Sequence, residues 1–187
     1  MKNYLKNIVI LAKKIFLLLI IFQFCRINFF IFNFEYFKEI KFFELIKIFF
    51  YGTKFDISAI VNFNFILIFL HIFPFLKKNN NFYKKFIFYL FFIVNFFLIT
   101  VNLIDVEYFN FTNKRSDIDI FKLFFISNDL FFLIPQFIKD YFYILILIFI
   151  ASFSLYFFHP KLKFDENKKN FFSKNDAFFS TLIFIFL

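Results

Sequence analysis

Residues 86–115 read "FIFYLFFIVNFFLITVNLIDVEYFNFTNKR", and this stretch decides the fold class. Its first part, 86–104, carries no charged residue. A helix needs about 20 apolar residues to cross the hydrocarbon core of a bilayer, which is about 30 Å thick. The apolar run ends at Asp105 and Glu107 and leads to a basic pair at 114–115. The pattern is typical of a transmembrane helix that leaves the bilayer at Asp105.

The composition of the whole chain also indicates a membrane protein. Of its 187 residues 62% are hydrophobic and 45 are Phe, and the mean hydropathy is +0.76. An ordinary globular domain is only about 45–50% apolar. We therefore expect lipid around most of the chain. The net charge of +9 does not indicate nucleic-acid binding, because the cations lie in short clusters between apolar runs, as in the loops of membrane proteins.

Three further apolar runs are long enough to cross a bilayer, and they occupy residues 15–33, 57–75 and 141–158. Backbone polar groups in lipid must be hydrogen-bonded within the chain, which favours helices. A fifth run, 177–187, is cut short at the end of the chain. The sequence thus predicts one all-α transmembrane domain over residues 1–187. It is a polytopic membrane helix bundle of four full spans plus a truncated fifth, with no soluble domain.

The loops predict an orientation and surface helices. Thirteen Lys and Arg residues lie in 1–14, 77–85 and 159–176, against eight in the longer stretches 35–56 and 105–140. The positive-inside rule then places the N-terminus in the cytoplasm, and we expect the chain in the cytoplasmic membrane of its cell. Charged residues recur at every third position after the first run, as in an amphipathic helix lying on the membrane surface: Glu35, Lys38, Lys41, Glu44 and Lys47.

Gly52 is the only glycine, and it is expected to end this surface helix, so that Thr53 or Asp56 caps the second span. Residues 117–139 predict a similar surface helix. A plain amphipathic loop is the alternative for both segments.

The sequence offers no candidate catalytic, cofactor-binding or metal-ligating residue. Cys25 is the only cysteine, and His71 and His159 are the only histidines. Arg26 lies within the first apolar run, where a central Arg costs about 2.5–3.5 kcal/mol unless it reaches the interface. It either extends to lipid phosphates, or pairs with Asp105, Glu107 or an anionic lipid head group. The residues predicted to bind a lipid head group or to dock a further domain are Arg26, Asp56, Asp105, Glu107, Lys114 and Arg115.

Four stretches, in order, resemble the membrane portion of the bacterial lipoteichoic-acid-synthase-like family. These enzymes are phosphoglycerol transferases of the sulfatase/alkaline phosphatase superfamily. The stretches are "FQFCRINFFIFN" at 22–33, "FFYGTKFDISAI" at 49–60, "NLIDVEYFNFTNKRSD" at 102–117 and "PQFIKDYFYILILIFI" at 135–150.

The resemblance implies five N-terminal transmembrane helices followed by a large extracytoplasmic catalytic domain. In that family the domain holds a threonine nucleophile and a divalent metal, and it transfers a phospho-group from a lipid donor. This sequence departs from the pattern, because it stops at "AFFSTLIFIFL", residues 177–187. No catalytic residue can be carried over, and the divalent metal is expected only in the catalytic domain that is missing here.

The favoured function is a membrane-anchoring module of such a transferase, acting on cell-envelope lipid or glycan, truncated and inactive alone. Its expected partners are the lipid bilayer, an anionic phospholipid and a separate or downstream extracytoplasmic catalytic domain. The alternative is a stand-alone membrane scaffold that binds a separate catalytic partner. A small transporter is less favoured, because none of the three prolines, Pro74, Pro135 and Pro160, lies in the middle of a predicted span to break its helix.

Overall fold

The computed structural model describes residues 2–72, 81–115, 135–136 and 138–160, with side chains from residue 7 onward. The described residues fold into α-helices and contain no strand, which confirms the all-helical prediction for this part of the chain. The helices are α1 (Lys2–Phe32), α2 (Phe34–Phe37), α3 (Phe42–Phe63), α4 (Phe65–Ile72), α5 (Asn81–Thr112) and α6 (Phe142–Phe157). The predicted fifth span, 177–187, and almost all of the second surface helix, 117–139, lie outside the described residues.

Two helices are long and apolar enough to cross a bilayer. They cover Asn7–Phe32 within α1 and Asn81–Thr112, the whole of α5, and each reaches a mean hydropathy of 2.4. At 1.5 Å per residue the two segments span about 39 and 48 Å, more than the hydrocarbon core. The two helices run parallel, since Lys14 lies over the Phe91 ring at one end and Phe29 packs against Phe109 at the other. We call the end where both finish the upper end.

The second predicted span and the surface helix before it have different boundaries in the structure. Gly52 does not end a helix but lies inside α3, which continues to Phe63. An interior glycine costs a helix only about 1 kcal/mol, and this one has no positive φ that would turn the chain. The helix breaks instead at Asn64, and α4 continues at an angle of 68°. Thr53 and Asp56 are therefore not capping residues.

The described residues confirm only part of the predicted set of four full spans. Among the described residues two helices qualify, or three if the bent pair α3–α4 crosses as one. α6 matches the predicted segment 141–158, but its 16 residues span only about 24 Å. It runs antiparallel to α5, because Tyr141 packs near Phe111 and Tyr156 near Phe88. Long apolar helices of this kind indicate a membrane protein, in agreement with the sequence.

Apolar side chains from α1, α4, α5 and α6 form the core, with Leu18, Ile99 and Leu155 almost completely buried. Phenylalanines cover much of the outer surface; Phe149 of α6, for example, is 70% exposed. Such a surface suits lipid, which imposes no penalty on exposed apolar groups. Hydrogen bonds between side chains of different helices lie in three regions of the described bundle. One cluster is at the upper end, an asparagine pair lies halfway, and Lys14 contacts His71 near the lower end.

Candidate functional site

The upper polar cluster begins with an ion pair between α1 and α3. Nη2 of Arg26 lies 2.7 Å from both carboxylate oxygens of Asp56, and Nη1 donates to the Phe49 carbonyl at 3.2 Å. The predicted pairing of Arg26 with Asp105 or Glu107 is therefore wrong. α3 packs along α1 in the antiparallel direction, and this brings the Asp56 carboxylate to the depth of Arg26.

Gly52 makes room for the Arg26 guanidinium against α3. A methyl group built on Gly52 would overlap the guanidinium carbon and Nη1 of Arg26. Residues four apart lie on the same face of a helix, so Gly52 and Asp56 form one surface, flat at the glycine and charged at the aspartate. Sequence reasoning missed this role. The signal was present, since the single glycine precedes an acidic residue by one helical turn.

The Gln23 side chain adds a hydrogen bond to this ion pair and also bonds to Thr53. Nε2 of Gln23 donates to Oγ1 of Thr53 at 3.1 Å and to Oδ2 of Asp56 at 3.2 Å. The Arg26 and Asp56 side chains are only 17% and 13% exposed. A buried ion pair offsets its desolvation only when its remaining polar atoms are also bonded. The arrangement therefore holds α1 and α3 together and carries no net charge.

Arg115 reaches the same region by folding back over the end of α5. The helix ends at Thr112, and Asn113 adopts a left-handed conformation with φ 53°. Asparagine tolerates this conformation, which commonly terminates helices. The turn brings Nε and Nη2 of Arg115 to 3.2 and 3.1 Å from Oδ2 of Asp105, and Nη2 to 3.3 Å from Oδ1 of Asn102.

The sequence predicts that the third span leaves the bilayer at Asp105, but the helix does not end there. The helix continues for seven residues beyond it, and the carboxylate is buried with 4% exposure. The Arg115 guanidinium covers it and also lies 5.4 Å from the centre of the Phe29 ring. Arg115 itself remains 57% exposed. The charge at position 105 is therefore part of the bundle interior, and its cation is at the surface.

Arg26 and Arg115 line one cavity, which we call the upper cleft. Its volume is about 30 Å³, enough for water but far below the roughly 300–1,000 Å³ of an ordinary ligand pocket. The lining residues are Phe22, Cys25, Arg26, Phe29, Asp56, Asn102 and Arg115. No acceptor among the described residues bonds to Nη1 of Arg115. The cleft thus combines apolar walls with two guanidinium groups, one fixed and one at the surface.

Three of the six predicted site residues line the upper cleft, and Asp105 binds one of them. The other two lie apart from it. Glu107 is near Tyr143, and its carboxylate accepts a long hydrogen bond of 3.5 Å from Asn110. Lys114 is exposed, and only its backbone bonds to Thr112. No group of three or more His, Cys, Asp or Glu side chains that could hold a metal ion occurs in the described segments.

Comparison of the chain with protein-family models, curated proteins and solved structures gives no significant match. The function has to be argued from the residues and the geometry of the upper cleft.

Proposed function

We propose that the chain is the membrane-anchoring module of a phospho-group transferase acting on cell-envelope lipid or glycan, and that its upper cleft binds the phosphate of an anionic lipid. The chemistry would belong to a separate or downstream extracytoplasmic domain holding a divalent metal. One observation carries the proposal: Arg26 of α1 and Arg115 beyond α5 line a single cavity at one end of an apolar bundle. The sequence resemblance supports the same class of enzyme.

Guanidinium groups suit a phosphate because their parallel N–H donors match two phosphate oxygens. The two arginines would contribute differently. Arg26 is held by Asp56 and Phe49, so it offers a fixed positive wall. Arg115 is exposed, and its Nη1 bonds to no acceptor in the described residues. Because the resting cavity is far smaller than an ordinary ligand pocket, a phosphate enters only if Arg115 moves outward with it.

The position of the cleft fits a lipid better than a soluble anion. Phe22 and Phe29 line it, and the outer face of α3 beside it exposes large apolar side chains such as Phe50 and Phe55. A lipid could place its acyl chains against this face and its phosphate at the cleft. A soluble phosphate would gain only the polar contacts.

Lipid retention tests the proposal. The purified chain would be placed in nanodiscs containing equal amounts of phosphatidylglycerol and phosphatidylcholine, extracted in mild detergent and analysed by native mass spectrometry. We expect phosphatidylglycerol to remain bound preferentially. Loss of one charge-assisted contact in Arg115→Gln should weaken its retention about tenfold, equal to about 1.4 kcal/mol. Lys47→Gln, an exposed cation on α3 outside the cleft, should retain the lipid.

Equal retention of the two lipids, or equal effects of Arg115→Gln and Lys47→Gln, would contradict the proposal that the upper cleft binds an anionic lipid. The stand-alone scaffold would then be tested by asking whether the chain binds a separately encoded catalytic domain in a pull-down from membranes.

A small transporter is the second candidate, because the α3–α4 pair is a broken helix of the kind found in transporters. The break occurs without Gly or Pro. The absence of these residues from the middle of the predicted spans therefore no longer argues against transport. Proteoliposomes loaded with phosphate or glycerol phosphate separate the two functions. The anchoring proposal expects no efflux above protein-free vesicles.

A further inference from the structure

The bend between α3 and α4 contains neither of the two residue types that most often kink a helix. It occurs at Asn64 within "IVNFNFIL", residues 60–67, which contains neither Gly nor Pro. The backbone there is ordinary, with φ −93° and ψ 13°. Sharp kinks without Gly or Pro usually arise where a side chain enters the helical hydrogen-bond ladder. Nδ2 of Asn64 donates at 3.0 Å to the Ile60 carbonyl, the acceptor that its own backbone N–H also uses. Asn102 makes the same bond to Leu98 without breaking α5, so this bond alone does not account for the bend.

The Asn64 side chain also forms a closed amide pair with Asn95 of α5. Each side-chain nitrogen donates to the other's oxygen, at 2.9 and 2.8 Å. The second N–H of Asn95 goes to the Phe91 carbonyl at 2.7 Å, as that of Asn64 goes to Ile60. Both side chains are almost completely buried, at 3% and 0% exposure. All four N–H groups and both oxygens are therefore satisfied, away from water, in the middle of α5.

The amide pair lies between two separate attachments of the bent span. Above it, α3 is bound to α1 through Arg26 and Asp56. Below it, α4 contacts α1 through His71 and Lys14, and Tyr83 of α5 donates to the Leu70 carbonyl at 2.7 Å. The bent span is thus held at three places, and Asn64 lies at the bend between the other two.

We propose that the Asn64–Asn95 pair is a latch that holds the span bent, and that its release lets α3 rotate and opens the upper cleft. Asp56 lies eight residues before Asn64, about 12 Å along the helix. A rotation of about 20° would then move its carboxylate by roughly 4 Å, more than the ion pair with Arg26 can follow. The bend and the Arg26–Asp56 pair must therefore change together. The latch concerns geometry alone, and it holds whatever ligand the cleft binds.

Distance measurements between spin labels test the latch in the full chain. In a Cys25→Ala background in nanodiscs, labels at Lys47 of α3 and Asn81 of α5 report the direction of α3. Labels at Lys13 of α1 and Asn110 of α5 serve as the control pair. A 20° rotation about Asn64 would move residue 47 by roughly 9 Å, because 17 residues of helix separate them.

The expected result is a longer or second distance between positions 47 and 81 in Asn95→Leu, with the control distance unchanged. Since Asn95→Leu leaves one amide buried without its partner, Asn64→Leu/Asn95→Leu provides a second variant with no unpaired group. Asn62→Leu, exposed and two residues away, should keep the wild-type distance. If the double variant folds and keeps the wild-type distance, packing and not the amide pair sets the bend, and the proposal fails.

Discussion

Gly52 lies directly under the Arg26 guanidinium, where any side chain would collide with it. We expect Gly52→Ala to lower the free energy of unfolding by about 1–3 kcal/mol, because the methyl group must displace Arg26 from Asp56. In an exposed helix the same change would raise stability by about 1 kcal/mol, so a net loss is informative. Unfolding in mixed micelles measures it. Ser58→Ala, on the exposed face of α3, is the control; a Gly52→Ala variant more stable than the wild type would contradict the packing argument.

Asp105 is buried, and its cation Arg115 is largely at the surface. Arg115→Gln should cost about 1–2 kcal/mol, less than for a fully buried pair because solvent already screens the guanidinium. The loss should be largely recovered when Asp105→Asn is added, since no carboxylate then remains to be compensated. A double-mutant cycle measures this coupling. Strictly additive effects of the two substitutions would mean that the ion pair contributes nothing to stability.

Residue chemistry was easier to predict from the sequence than residue partners. Arg26, Asp56 and Arg115 are among the residues that the sequence predicts to bind a lipid head group or to dock a further domain. The structure brings all three to one cavity. The partner of Arg26 could not be predicted, because depth along α1 does not say which helix lies beside it. Arg115 was missed as the partner of Asp105 because ten residues separate them, and only the left-handed turn at Asn113 brings them together.

At the scale of elements, the contact between α1 and α4 contains a buried cation without a carboxylate. Nζ of Lys14 is 3.2 Å from Nε2 of His71 and 5.2 Å from the centre of the Phe91 ring. Nδ1 of His71 lies 2.9 Å from the Leu67 carbonyl, which can only accept, so Nδ1 carries the hydrogen and Nε2 accepts from Lys14. No ion pair involves Lys14 in the described residues.

Replacing this cation by an apolar side chain of similar length should therefore be tolerated. We expect Lys14→Met to leave the free energy of unfolding unchanged or to raise it by up to about 2 kcal/mol, because a buried charge is removed and packing on Phe91 is kept. Lys14→Ala should lower it by about 2–4 kcal/mol through the space it leaves. Both are measured by unfolding in mixed micelles. Equal losses in the two variants would show that the ammonium group itself stabilises the contact.

Helix positions followed from the apolar runs, whereas helix ends did not. The runs at 15–33 and 86–104 fall on α1 and α5, but α1 begins at Lys2 and α5 extends beyond its run at both ends, from Asn81 to Thr112. A polar residue next to an apolar run does not end a helix when its side chain has a bonding partner, as Asp105 has in Arg115. The break at Asn64 was not predicted, since asparagine within a span is compatible with a straight helix and its partner Asn95 lies on another element.

For the whole molecule, the charge distribution and the helix directions predict one arrangement in the membrane. α1 and α5 run parallel, so their starting ends lie on the same side. The stretches that adjoin that side in the sequence, 1–14, 77–85 and 159–176, contain thirteen Lys and Arg residues, against eight in the longer stretches 35–56 and 105–140. Because cationic loops stay in the cytoplasm, the upper cleft should open on the outer surface, where a lipid-modifying domain would act.

Cysteine labelling tests this orientation in a Cys25→Ala background. Asn113 follows the upper end of α5 and Asn81 begins its lower end, and both are exposed. A membrane-impermeant maleimide applied to intact cells should modify Asn113→Cys, whereas Asn81→Cys should react only after lysis. The two substitutions remove the same side chain and no charge, so they leave the charge balance that sets the orientation intact. Should Asn81→Cys react in intact cells while Asn113→Cys does not, the upper cleft would face the cytoplasm, and a role beside an extracytoplasmic catalytic domain would be excluded.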